Sequence, residues 1–205
     1  MLIFSLLRHT WGQAHQKIPD KLHHHAHENS QHQCEYCGYT SKNNRLHFVD
    51  HNPLNHHRDN LTVVDPLCEA WQNLGALNAD DGVVVYLPEI RPEEVNHLQR
   101  AAIFALQSVD PVYREAAKAV INWLAAHKKD VEEFWGTAHP GEFAEALAQA
   151  GDEQRAELQR RWRHLALIRN PKKLTGKGIF ADNGTEWDTA QWTDLYQGYS
   201  NTNLA

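Results

Sequence analysis

The placement of cysteine constrains this chain more than any other feature. Cys34-x-x-Cys37-Gly38 is a tight turn that can aim two thiolates at one metal ion. Asp65-Pro66-Leu67-Cys68 repeats the spacing with a carboxylate in the first slot, and all three cysteines of the 205 residues lie in these two turns. Cysteine so scarce and so clustered is the pattern of a metal site, not of a disulfide framework. A structural zinc site takes four ligands in a tetrahedron, so Cys34, Cys37 and Cys68 need a fourth. Asp65 is the expected one by position, and His47, His51 and His57 are the histidine alternatives.

Composition narrows the class. The apolar content of 41% and charged content of 22% are those of a globular domain with a real core. The leading MLIFSLLRHT has no basic leader and no small-residue cleavage site, and nothing approaches the roughly 20 apolar residues of a membrane span. A cytoplasmic protein without membrane insertion is the expectation. The net charge of −6 argues against nucleic acid as a partner, because phosphate neutralisation dominates that affinity. The basic residues between Arg155 and Lys173 read as the solvated face of a helix. Most of the fifteen histidines precede Leu61, and the cluster His23, His24, His25 and His27 reads as polar loop that captures metal only incidentally.

Along the chain, Leu2–Leu7 suits a short buried strand, and residues 10–33 read as loop or poorly formed helix. Arg45–Asp50 alternates and Leu61–Val64 answers it, so the two make the arms of a hairpin. A short helix over Glu69–Leu77 follows, and then the β-branched run Val83–Leu87, which suggests a strand buried on both faces. Helices are expected from Pro92, with Val95, Leu98, Ala102 and Leu106 inside, and from Asp110-Pro111, with Val112, Ala116, Val120 and Trp123 inside. Two more should span Glu142–Ala150 and Glu153–Ile168. The aromatics from Ile179 to Tyr199 either pack back on the domain or dock on a partner. The expected class is α+β: a zinc core with an N-terminal extension over 1–90, a helical region packed on it over 91–174, and an irregular aromatic tail over 175–205.

Between the cysteine turns, Val49-Asp50-His51-Asn52-Pro53 followed by Asn60-Leu61 resembles the HNH endonuclease motif. The resemblance implies an HNH-like hairpin core in which His51 is the general base, Asp50 a catalytic-metal ligand and Asn60 the residue that orients the loop. The chain departs from that pattern at its far end, where Glu69 or Asn73 stands in place of the usual histidine. A longer resemblance runs through CEYCGYT, DNLTVVDPLC and GVVVYLPEIRPEEVNHLQRAAIFAL, which together look like the IcmJ/DotN family of type IVB secretion systems. That likeness implies a non-enzymatic adaptor with structural Zn2+ at Cys34, Cys37, Asp65 and Cys68. Its implied partners are the C-terminal tail of the coupling ATPase and other coupling-complex subunits, and its implied place is the cytoplasm, peripheral at the inner membrane. The alternative the residues carry is a metal-dependent HNH endonuclease using His51, Asp50, Asn60 and Glu69.

Overall fold

Backbone pairing in the computed structural model divides between two small antiparallel sheets, with helices closing over both; residues 2–7 and 18–174 are described. The fold is α+β. Helix α1 (Asp20–Asn29) precedes the hairpin of β1 (Arg45–Phe48) and β2 (Leu61–Val64), whose register sets Arg45 opposite Val64 and Phe48 opposite Leu61. Helix α2 (Pro66–Gln72) leads on to β3 (Gly82–Tyr86). Then come α3 (Pro92–Ala105), α4 (Pro111–Ala126), α5 (Lys128–Trp135), α6 (Pro140–Gln149), α7 (Asp152–Arg161) and β4 (Leu165–Arg169).

The hairpin stands where alternation put it. Elsewhere tertiary packing overrode local pattern. Residues 20–29, expected as loop or poorly formed helix, are a regular helix because Leu22 and Ala26, four apart, pack on Leu61 and Val63 of β2. The 2–7 segment, suited by sequence to a short strand, is not one. Ser5 donates its N–H to the Trp71 carbonyl at 2.8 Å and accepts from Leu74 at 3.1 Å, so the segment docks on the α2 region, with Phe4 against Trp71 at 4.8 Å between ring centroids. The run expected as the end of a helix, Leu165–Ile168, is instead β4, because all four of its side chains are buried and its backbone pairs with β3. A short wholly apolar run cannot declare its own period. Through this pairing the helical region over 91–174 contributes a strand beside β3, and one core cluster joins Leu2, Trp71, Val84, Val95, Leu124, Leu147 and Leu167.

Helix α4 turns a different face inward from the expected one, and α3 keeps Val95 and Ala102 of its expected face. Helix α4 buries Ala117, Ile121 and Leu124, while Val112 and Trp123 are exposed. Helix α3 buries Val95, Ala102 and Ile103 together with Asn96, Gln99 and Arg100, and leaves Leu98 partly exposed. The expected aromatic segment, Ile179 to Tyr199, lies outside the described residues.

Strand β3 begins at Gly82, where an added Cβ would stand 2.5 Å from the Ile168 carbonyl oxygen and 3.2 Å from the Arg169 Cα. Both neighbours are backbone and cannot rotate aside. Gly82→Ala is therefore expected to lower stability by about 1–3 kcal/mol, the usual cost of overpacking. The shift in the urea unfolding midpoint measures it.

Candidate metal centre

Three short-range features build the site. In the first turn Cys34 donates its N–H to the Tyr39 carbonyl at 2.9 Å, and Gly38 returns an N–H to the Cys34 carbonyl at 3.0 Å. Gly38 takes φ 73°, the left-handed backbone that a side chain would resist. Cys68 arrives from the first turn of α2 and is fully buried. The Sγ atoms of Cys34, Cys37 and Cys68 consequently lie within 4.8 Å of one another, and the three thiols could hold a metal ion.

Hydrogen bonding among the three sulfurs makes their thiols unequal. Hydrogen bonds from Cys37 and then Cys68 pull the Cys34 thiol down to about 2. Donation to Cys34 raises Cys37 to about 12, and the same donation raises Cys68 as well. A metal ion bound by the three sulfurs would take the place of the protons they share.

Helix α3 supplies the outer layer. Asn96 Nδ2 donates to Cys68 Sγ at 3.3 Å, and Arg100 Nη2 reaches Cys37 Sγ at 3.5 Å. Gln99 ties the helix to β4, donating to the Leu167 carbonyl at 2.9 Å and accepting from the Arg169 N–H at 2.8 Å. Arg100 also lies over the Tyr39 ring at 4.0 Å from its centroid. Donors aimed at thiolate sulfur stabilise its charge and orient it, which is the usual part of an outer shell.

Asp65, expected as the fourth ligand, is not among the atoms grouped with the thiols. It caps α2: Oδ1 accepts from the Leu67 and Cys68 N–H groups at 2.9 and 3.3 Å. Its Oδ2 pairs with Arg100 at 3.0 Å, with side-chain exposures of 0% and 4%. Burial pushes the Asp65 carboxyl up, and the Arg100 guanidinium pulls it back. Burial also works against the charge of Arg100, yet Asp65 and the thiols beyond it raise Arg100 above its ordinary value. Guanidinium keeps its proton, and the carboxylate accepts from N–H groups on both oxygens, so the pair is ionic. Pro66 was the signal for the cap: a carboxylate followed by proline at the first helical position is the same device that opens α4 at Asp110-Pro111.

The histidines considered as fourth ligands also sit apart from the thiols. His57 is exposed and near Asp59. His47 is buried, its pKa lowered to about 4 by burial first and His51 second. Its Nε2 meets the Tyr36 hydroxyl at 3.2 Å, and that hydroxyl donates to Gln72 Oε1 at 3.0 Å, which assigns the proton of neutral His47 to Nε2.

The motif between the turns forms a separate polar cleft of about 380 Å³ lined by Ser5, Tyr36, Asp50, His51, Gln72 and Arg155. His51 occupies left-handed backbone at φ 58°, with Nε2 3.4 Å from Ser5 Oγ. Asn60 orients the loop, accepting from the Asp50 N–H at 2.9 Å and donating to Asp50 Oδ1 at 2.9 Å and the Asn55 carbonyl at 2.8 Å. Asp50 also accepts from the Asn52 N–H and from Asn55 Nδ2, each at 2.8 Å. The structure does not bring Glu69 here: its carboxylate pairs with Arg45. Asn73 ends α2, and neither it nor Glu69 lines the cleft. The α2 residue that does so is Gln72, one helical turn past Cys68, a placement that the four-residue spacing from Cys68 carries. Neither a protein-family model nor a curated protein matches the chain.

Arg100→Met leaves the Asp65 charge buried without its partner and is expected to cost about 3–5 kcal/mol. It should also weaken metal binding by roughly 10–100-fold through the outer shell. Asp65→Asn keeps a capping side chain and should retain the full metal content by elemental analysis. A variant that lost its metal would make Asp65 a ligand.

Proposed function

We propose that the chain is a non-enzymatic, zinc-stabilised adaptor subunit of a type IVB secretion or conjugation coupling complex, binding the C-terminal tail of the coupling ATPase. The observation that carries the non-enzymatic part is the state of the cleft. Asp50 spends its carboxylate on N–H groups of Asn52, Asn55 and Asn60, and the α2 side chain beside it is the neutral amide of Gln72. A hydrolytic metal site needs carboxylate or imidazole ligands left open toward the ion. The stretch on which the likeness to IcmJ/DotN mainly rests, residues 82–106, forms β3 and α3, and α3 presents Asn96 and Arg100 to the cysteine cluster. The metal layer and the family likeness therefore meet on one helix.

Zinc is the ion assigned to Cys34, Cys37 and Cys68, because soft thiolates in CxxC-type turns select it, and a fourth ligand from outside the group completes the coordination. Among the described residues no helix is long and apolar enough to cross a membrane. A cytoplasmic adaptor held at the inner membrane through the secretion complex accords with that and with the net charge of −6.

A second reading, a metal-dependent HNH endonuclease, has one observation in its favour: His51 lines the cleft beside Asp50 on backbone held in the left-handed region. The two readings separate in a DNA-nicking assay with magnesium, manganese or nickel. The adaptor reading expects no nicking by the parent beyond that of His51→Ala. Metal-dependent nicking abolished by His51→Ala would install the nuclease in its place.

Copurification with the C-terminal tail of the coupling ATPase is the direct test of the partner. Retention of the tail by the purified chain is expected, and failure to bind the tail or any other coupling-complex subunit ends the assignment. Cys34→Ser and Cys68→Ser should each lower zinc content well below one equivalent and depress the melting temperature, because structural zinc contributes folding free energy directly. Unchanged melting of both variants would remove the structural role.

A further inference from the structure

Helix α1 and the turn after it carry a second set of metal-ligand atoms that the cysteines do not use. His27 Nδ1 and His32 Nδ1 stand 3.0 Å apart, with ring centroids at 5.1 Å. One helical turn earlier, the His23 ring stacks on His27, with centroids 6.2 Å apart and 17° between the planes. Residues 23 and 27 share a helix face by their spacing. His32 joins them only because the chain doubles back. Gln31 and His32 both take left-handed backbone, φ 53° and 59°, and the His32 N–H donates to the His27 carbonyl at 2.8 Å. Asn44 Nδ2 pins the turn by donating to the His32 carbonyl at 2.8 Å. Left-handed backbone is uncommon outside glycine, and each such residue costs on the order of 1 kcal/mol that the surroundings must offset. Here two in succession set imidazole against imidazole.

At this distance the two ring nitrogens share one proton as an N–H···N hydrogen bond, and a metal ion bound to both would take that proton's place. Nitrogens bound to a tetrahedral ion at about 2.0–2.1 Å lie roughly 3.3 Å apart, so a shift of a few tenths of an ångström converts one state to the other. Burial, then His32 and His23, lower the His27 pKa, which keeps a lone pair available at neutral pH. An all-imidazole donor set suits zinc, nickel and copper and not the hard alkaline-earth ions. We propose that His27 and His32, with the exposed His23 swinging in as third ligand, form a second site for a divalent transition-metal ion, separate from the three cysteines.

The test uses the full chain with its cysteine site first filled by Zn2+, titrated with Ni2+ by calorimetry. One further equivalent is expected. His27→Gln with His32→Asn should weaken that equivalent at least about tenfold, since both firm ligands are gone; asparagine tolerates the left-handed backbone at 32. His25→Gln, two residues from both His23 and His27 and so off the shared face, should leave the affinity within about twofold. His23→Gln, at an exposed position where folding is not at stake, should weaken it roughly threefold or more. The site is overturned if the parent takes up no further equivalent or if the double variant binds as tightly as the parent. Equal loss in His25→Gln, or no change in His23→Gln, overturns it as well.

Discussion

A guanidinium buried against a carboxylate is the contact on which the rest of this molecule depends. Arg100 reaches inward from α3 to Asp65 and passes the Cys37 sulfur, and its plane lies over Tyr39. One side chain thus touches the cap of α2, the first cysteine turn and the ring that follows it. Charges this deep are costly unless each is met, and here each is. Asp65 holds its helix cap with one oxygen and Arg100 with the other, and Cys37 Sγ lies 3.5 Å from the guanidinium. A bound ion adds its own charge to a pocket already balanced by Asp65 and Arg100.

Helix α2 is short, yet it serves two places at once. Cys68 near its start faces the thiols, and Gln72 at its end faces the cleft with Asp50 and His51. The buried chain His47–Tyr36–Gln72 runs between them, and Gln72 goes on to donate to the Ile3 carbonyl at 3.0 Å. Loss of the metal would therefore disturb the cleft as well as the cysteine turns, since both are anchored to the same two turns of helix.

Much of the hairpin and the metal turn was legible because each carries a local rule. Leu46 and Phe48 alternate with His47, Gly38 follows the second cysteine, and the left-handed φ at Gly38 is what that residue permits. Asp65 shows how one rule hides another. Its spacing from Cys68 copies the first turn, while Pro66 beside it announces a helix cap, and in the folded chain the carboxylate serves the cap and Arg100. The polar residues of α3 were harder to place. Asn96, Gln99 and Arg100 sit inside because sulfur and backbone groups await them there, and nothing in a hydrophobic pattern marks such partners.

By itself the sequence determined the α+β class, the clustering of Cys34, Cys37 and Cys68, and the hairpin between them, since turn spacing and two-residue alternation are properties of a few neighbouring residues. Only the tertiary structure decided that Leu165–Ile168 is a strand, that the histidines of α1 lie on a helix, and that α3 turns a polar face to the thiols. In each case the deciding partner is distant in sequence: β3 for β4, β2 for α1 and the cysteine turns for α3. A segment that reads equally well two ways takes the form that satisfies the backbone and the buried charge brought to it from elsewhere.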